Sequence, residues 1–143
     1  EPAIHATVNA TSSRPVPRHA AAQLRGRGVV VLISDLLDPG ADRVIRELAA
    51  TRSELIVLHV LSPEELDPPI EGDLRLVDAE SGEGVDVTAD LATIDAYKQR
   101  LADWKATFAD LAAKRRASYV DLSTDVPLND LIFAELRRRR VLG

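Results

Sequence analysis

The chain has 143 residues, 45% of them apolar, which suits one domain with a substantial core. A formal charge of −5 lacks the basic footprint of a nucleic-acid binder, and the absence of cysteine excludes disulfides, thiolate catalysis and cysteine-based metal sites. No apolar run approaches the roughly 20 residues that span a bilayer, and residues 1 to 27 lack the basic-then-apolar order of a signal peptide. The expectation is a soluble, cytoplasmic chain with no membrane segment.

In chain order, residues 1–18 read as an irregular lead-in of small and polar residues with prolines, and residues 19–143 as an α/β domain. His19 to Arg27 has the composition of a short helix, with Gly26 and Gly28 as its stop signals. Val29 to Ser34 is an unbroken apolar run ending in Ser34-Asp35. It reads as a doubly buried parallel strand whose polar carboxyl end is where open α/β sheets place binding sites. Pro39-Gly40 turns the chain into a helix that starts at Ala41 or Asp42, with Val44, Ile45, Leu48 and Ala49 on one face. Leu55 to Leu61 is a second apolar run, so strand, helix and strand form a βαβ unit.

Ser62 to Gly72, with three prolines and four acids, reads as an exposed loop. Leu74 to Val77 and Val85 to Thr88 flank a Gly-rich connection and predict a β-hairpin. From Asp90 to Arg116, Leu91, Ile94, Tyr97, Leu101, Trp104, Phe108 and Leu111 recur at steps of three and four, which predicts a long amphipathic helix with its aromatic stripe in the core. Ser118 to Leu122 is a third parallel strand, and Pro127 opens a last helix that ends in four arginines, Arg137 to Arg140, suited to the helix dipole.

Two hydroxyl–carboxylate clusters, Ser34-Asp35 with Asp38 and Asp121 to Asp125, should emerge on one edge of the sheet. Their hard oxygen ligands suit Mg²⁺ or Mn²⁺. The same side chains are also good turn and helix caps, worth about 1 kcal/mol each, and that reading is favoured for Ser123 and Asp125. His5, His19 and His59 have no metal-binding spacing, and His59, inside an apolar strand, is expected to be a hydrogen-bonded core residue. Glu64, Glu65 and Asp67 read as solvated charge. No nucleophile elbow, Walker loop or Gly-x-Gly-x-x-Gly turn opens a helix, and Gly26-Arg-Gly28 precedes a strand instead.

Four segments, Arg27 to Asp38, Val57 to Leu66, Arg75 to Glu83 and Tyr119 to Leu128, together resemble the carboxyl-terminal half of the bacterial family called domain of unknown function 58, whose members are von Willebrand factor A-like. The resemblance implies an open, mostly parallel α/β sheet, partial von Willebrand A-like or Rossmann-like, with an inserted hairpin and a long amphipathic helix. It also implies a metal-ion-dependent adhesion site built from an Asp-x-Ser-x-Ser loop, a threonine and a later aspartate. Asp35 matches the later aspartate and Thr11 stands for the threonine, while the Asp-x-Ser-x-Ser loop has no counterpart in these residues. No cofactor is therefore expected in this chain, and Mg²⁺ or Mn²⁺ only with that loop supplied.

Family members of this type accompany MoxR-type AAA+ ATPases, so the resemblance implies a non-enzymatic, adaptor-like protein-interaction module with such an ATPase as partner. The alternative is a small regulatory domain that binds a nucleotide or other small ligand at the carboxyl edge. In the family fold the opening strand has a neighbour on each side, and the missing one leaves Val29 to Ser34 with a bare edge. A homodimer through that edge is expected, unless residues 3 to 10 fold back as a substitute strand.

Overall fold

A strand buried on both faces can be apolar at nearly every position, and Glu54–Leu61 is such a strand. A computed structural model describes residues 28–70, 72–77 and 81–127. In chain order these form β1 (Val29–Ser34), α1 (Ala41–Ala49), β2 (Glu54–Leu61), α2 (Pro63–Leu66), β3 (Gly72–Val77), β4 (Gly84–Ala89), α3 (Leu91–Lys114) and β5 (Ser118–Ser123). Strands β1, β2 and β5 make an all-parallel sheet in that spatial order, with Val31 opposite Ile56 and Leu58 opposite Val120. The hairpin β3–β4 is a separate antiparallel pair, with Leu76 opposite Val85.

Alternation along the strands divides the core. Val30, Leu32, Leu55 and Val57 point to one face, where Ile45 and Leu48 of α1 and Phe108 and Leu111 of α3 cover them. Ile56, Leu58, Val120 and Leu122 form a second cluster on the opposite face. Helix α1 buries Ala41, Ile45 and Leu48, one per turn, as its sequence spacing requires.

Three expectations are corrected. The proline-rich connection after β2 is not loop throughout. Ser62 caps α2 by accepting from Glu65 N–H at 3.2 Å, Glu65 Oε2 accepts from Ser62 N–H at 2.7 Å, and Pro63 fits the first turn because its missing N–H is not needed there. Glu65 is thus a half-buried cap and not solvated charge. The hairpin strands are longer than predicted, because main-chain pairing continues from Gly72 opposite Ala89 to Val77 opposite Gly84. The helical stripe is core only over its second half. Phe108 and Leu111 are buried, whereas Leu91 is 82% exposed and Tyr97 39%, since the first turns of α3 reach past the sheet. The predicted helices at 19–27 and from Pro127 onward, and Arg137 to Arg140, lie outside the described residues.

Helix α3 starts on Asp90, whose Oδ1 accepts from Thr93 N–H at 2.7 Å. It ends in a Schellman turn in which Ala117 N–H donates to Ala112 O at 2.9 Å and Arg116 N–H to Ala113 O at 3.1 Å. That turn needs a left-handed residue, and Arg116 supplies it with φ 57° where glycine is the usual occupant. Arg116→Gly is expected to raise unfolding stability by up to about 1 kcal/mol, and Arg116→Val to lower it, in urea denaturation. Equal midpoints for the three proteins would refute the assignment.

Candidate functional site at the carboxyl edge of the sheet

Because β1 and β5 both run parallel to β2, Ser34-Asp35, Leu61-Ser62 and Ser123-Thr124 leave the sheet on one edge. Thr124 N–H donates to Leu61 O at 2.9 Å and ties two of these exits together. After β1 the chain turns sharply. Ser34 Oγ accepts from Leu36 N–H at 3.0 Å, Asp35 Oδ1 from Leu37 N–H at 3.2 Å, and Asp38 Oδ1 from Gly40 N–H at 2.6 Å. Both aspartates therefore brace turns through their carboxylates. Leu36 adopts φ 58° and is only 3% exposed. A buried leucine in the left-handed region costs on the order of 1–3 kcal/mol, and its packing against the α1-facing core holds it there.

Asp35 itself is exposed at the edge. Thr11, its expected companion ligand, lies outside the described residues, so the structure does not bring the two together. Among the described residues no three His, Asp or Glu side chains are grouped to hold a metal ion.

Beside this turn lies His59, opposite Ser34 on one side and Asp121 on the other, and fully buried. Its Nδ1 stands 2.6 Å from the Tyr119 hydroxyl. Trp104, Phe108 and Tyr119 meet the imidazole edge-on, with centroids at 4.8, 6.1 and 5.8 Å. Among the described residues Nε2 has no hydrogen-bond partner. The main chain of Asp35 also lies near enough to act on the ring.

Burial is the largest influence on His59 and pushes its pKa below the ordinary 6.5. The positive charge of Lys105 acts the same way, while the Asp35 main chain and the Asp121 and Asp35 carboxylates oppose it. Lys105 Nζ and Asp121 Oδ2 pair at 2.9 Å beside the ring. The buried imidazole joins β2 to β5 beneath the edge through Tyr119. His59 is the hydrogen-bonded core residue that the sequence predicts, bonded through Nδ1.

Two contacts draw α2 onto α3. The Tyr97 hydroxyl donates to Glu65 O at 2.7 Å, and Lys98 Nζ meets Asp67 Oδ1 at 2.6 Å. The bond to Asp67 raises the Lys98 pKa, and burial, then the Glu65 charge, raises that of Tyr97. These pairings are not predicted by the sequence, which offers Tyr97 as core and Glu65 and Asp67 as solvated charge. The usable signals were the Ser62-Pro-Glu-Glu65 capping pattern and the alternation that puts Tyr119 and Asp121 on one face of β5.

The sequence profile of the family described as protein of unknown function DUF58 matches residues 15–107, and the chain belongs to that family. It is 36% identical over 122 residues to the uncharacterized protein Rv1480 of Mycobacterium tuberculosis and to the uncharacterized protein Mb1516 of Mycobacterium bovis, in each case over 83% of this chain and 38% of the relative. It is 34% identical to the uncharacterized protein MAV169 of Mycobacterium avium, over 83% of this chain and 72% of that protein. The chain thus spans well under half the length of the first two relatives. No solved structure matches it.

The depressed pKa of His59 has a definite sign in stability. Below pH 6.5 the unfolded ring takes up a proton that the folded ring refuses, so the stability contributed by neutral His59 is complete above pH 6.5. It is lost as pH falls through 6.5 toward the lower folded value. Urea denaturation at pH 7.5, 6.5 and 5.5 should show a loss of up to about 1.4 kcal/mol per pH unit in the wild type, reduced in His59→Gln. Parallel pH profiles for the two proteins would show that the ring titrates freely.

Proposed function

We propose that this chain carries a partial von Willebrand factor A-like fold and works as a non-enzymatic, adaptor-like interaction module in the cytoplasm, with a MoxR-type AAA+ ATPase as partner. The observation that supports an interaction role is the open side of β1. Among the described residues it pairs with β2 alone, and a row of unpaired main-chain N–H and C=O groups is a template for another strand. In this chain the open side accepts a second copy, and the homodimer forms through Val29–Ser34.

Asp35 stands at the carboxyl edge as one anionic ligand of an incomplete site, with Thr11 as its proposed companion. One carboxylate binds a hydrated divalent ion weakly, so Mg²⁺ or Mn²⁺ is held only when an upstream Asp-x-Ser-x-Ser loop completes the ligand set. Among the described residues no helix is long and apolar enough to cross a membrane.

Light scattering should report a dimer, with the outward amides of Val29–Ser34 slowed in hydrogen exchange. A monomer in which those amides exchange freely would remove the edge pairing. The adaptor reading is tested by co-sedimentation of the full-length protein with the purified MoxR-type ATPase of the same organism, and absence of a complex at any nucleotide state would sink it. Calorimetry on this chain should show no micromolar Mg²⁺ binding, and a micromolar Kd would mean that its own residues complete the site.

A further inference from the structure

We infer that the groove between α1 and α3 binds an acidic linear segment of a partner protein, about five extended residues, with an apolar side chain on Trp104 and carboxylates at the Lys114–Arg115 end. Such binding rests on the interaction role proposed above and gives the partner a chemistry. It uses a surface that shares no residue with the β1 edge.

Helices α1 and α3 cover the same face of the sheet, and the groove between them holds about 760 Å³. Phe108 and Leu111 are buried and close its floor, while Trp104 is half-buried and brings accessible aromatic surface into it. The indole meets His59 and Phe108 edge-on, with centroids at 4.8 and 5.6 Å, so the ring is oriented before anything binds. A fixed aromatic side chain loses little freedom when an apolar group is laid on it.

Charge in the groove is unevenly placed. On the α1 side Asp42 and Arg46 neutralise each other at 3.4 Å. On the α3 side one carboxylate, Asp110, stands against two exposed cations, Lys114 and Arg115, and among the described residues neither cation forms an ion pair. The carbonyls of Ala112 and Ala113, which cationic side chains can serve at a helix end, are taken up by the N–H groups of Ala117 and Arg116. Two adjacent positive charges therefore stand beside an apolar floor, and the complement of that surface is an apolar group followed by carboxylates.

Length selects a peptide over a small molecule. Trp104 and Arg115 are roughly 16 Å apart along the helix axis, the reach of about five residues of extended chain. Small-molecule sites enclose most of the ligand's surface, whereas a groove between two helix ridges accepts a chain laid along it. One apolar anchor and two or three carboxylates satisfy the groove from end to end.

Trp104 is the sole tryptophan of the chain, so its emission reports on the groove directly. The full chain at about 50 mM salt is titrated with the end-blocked peptide Leu-Phe-Asp-Glu-Glu and two analogues, the uncharged Leu-Phe-Asn-Gln-Gln and the polar Ser-Ser-Asp-Glu-Glu. The first should shift the emission with a Kd of about 100 µM or tighter, and each analogue should bind at least about tenfold more weakly. Raising salt to about 500 mM should weaken the first peptide several-fold. Lys114→Glu/Arg115→Glu and the milder Lys114→Gln/Arg115→Gln, with wild-type circular dichroism, should each lose at least about tenfold in its affinity. Arg43→Gln, a cation of α1 outside the groove, should leave binding unchanged. Emission that stays constant up to about 1 mM peptide would overturn the inference. Equal affinity for the uncharged analogue, or binding kept by the charge-reversed variant, would do the same. Light scattering and co-sedimentation read the β1 pairing and the ATPase contact separately. Peptide binding without dimer or complex strikes those two readings and leaves the groove site standing, and a dimer or complex with silent Trp104 does the reverse.

Discussion

The enclosure of β2 is the constraint on which the rest of the described structure depends. Its main chain is hydrogen-bonded to β1 on one side and β5 on the other, and its side chains alternate between two buried clusters. A strand so enclosed has no solvent to satisfy a buried polar side chain, and His59 is the buried polar group it carries. The neutral ring, its bond to Tyr119 and its aromatic surround follow from that position. The carboxyl-edge turn inherits the geometry, because Leu36 reaches the same core from the end of β1.

Much of this was legible in the residue order, for a physical reason. Runs such as Val29 to Ser34 and Leu55 to Leu61 have few alternatives to a doubly covered strand, and the seven-residue stripe after Asp90 has few alternatives to a helix. What periodicity does not encode is what lies opposite. The stripe of α3 has the same pattern where it faces the sheet at Phe108 and where it runs into solvent at Leu91. His59 and Tyr119 are 60 residues apart, and their contact depends on a strand register that neither residue announces. Leu36 and Arg116 occupy backbone conformations that residue type argues against, so tertiary packing and a helix-terminating turn override local preference. Helix α2 was legible in principle, since Ser62 and Glu65 have capping-box spacing. The prolines around it drew attention to loop chemistry instead.

For the candidate site, the sequence located the edge and Asp35, and the sheet confirms that both polar clusters leave on one side. The carboxylates of Asp35 and Asp38 stabilise the turns that place them. The family match leaves most of Rv1480 outside the aligned region, and among the described residues β1 pairs with β2 alone.

Helix α3 is rooted unevenly. Its later turns are clamped between the sheet and α1, its first turns carry the hairpin, and between the two stand Tyr97 and Lys98 with their contacts to α2. Trp104 stands where the exposed and the packed halves of α3 meet, edge-on against His59, so one helix joins the hairpin to the ring that bridges β2 and β5.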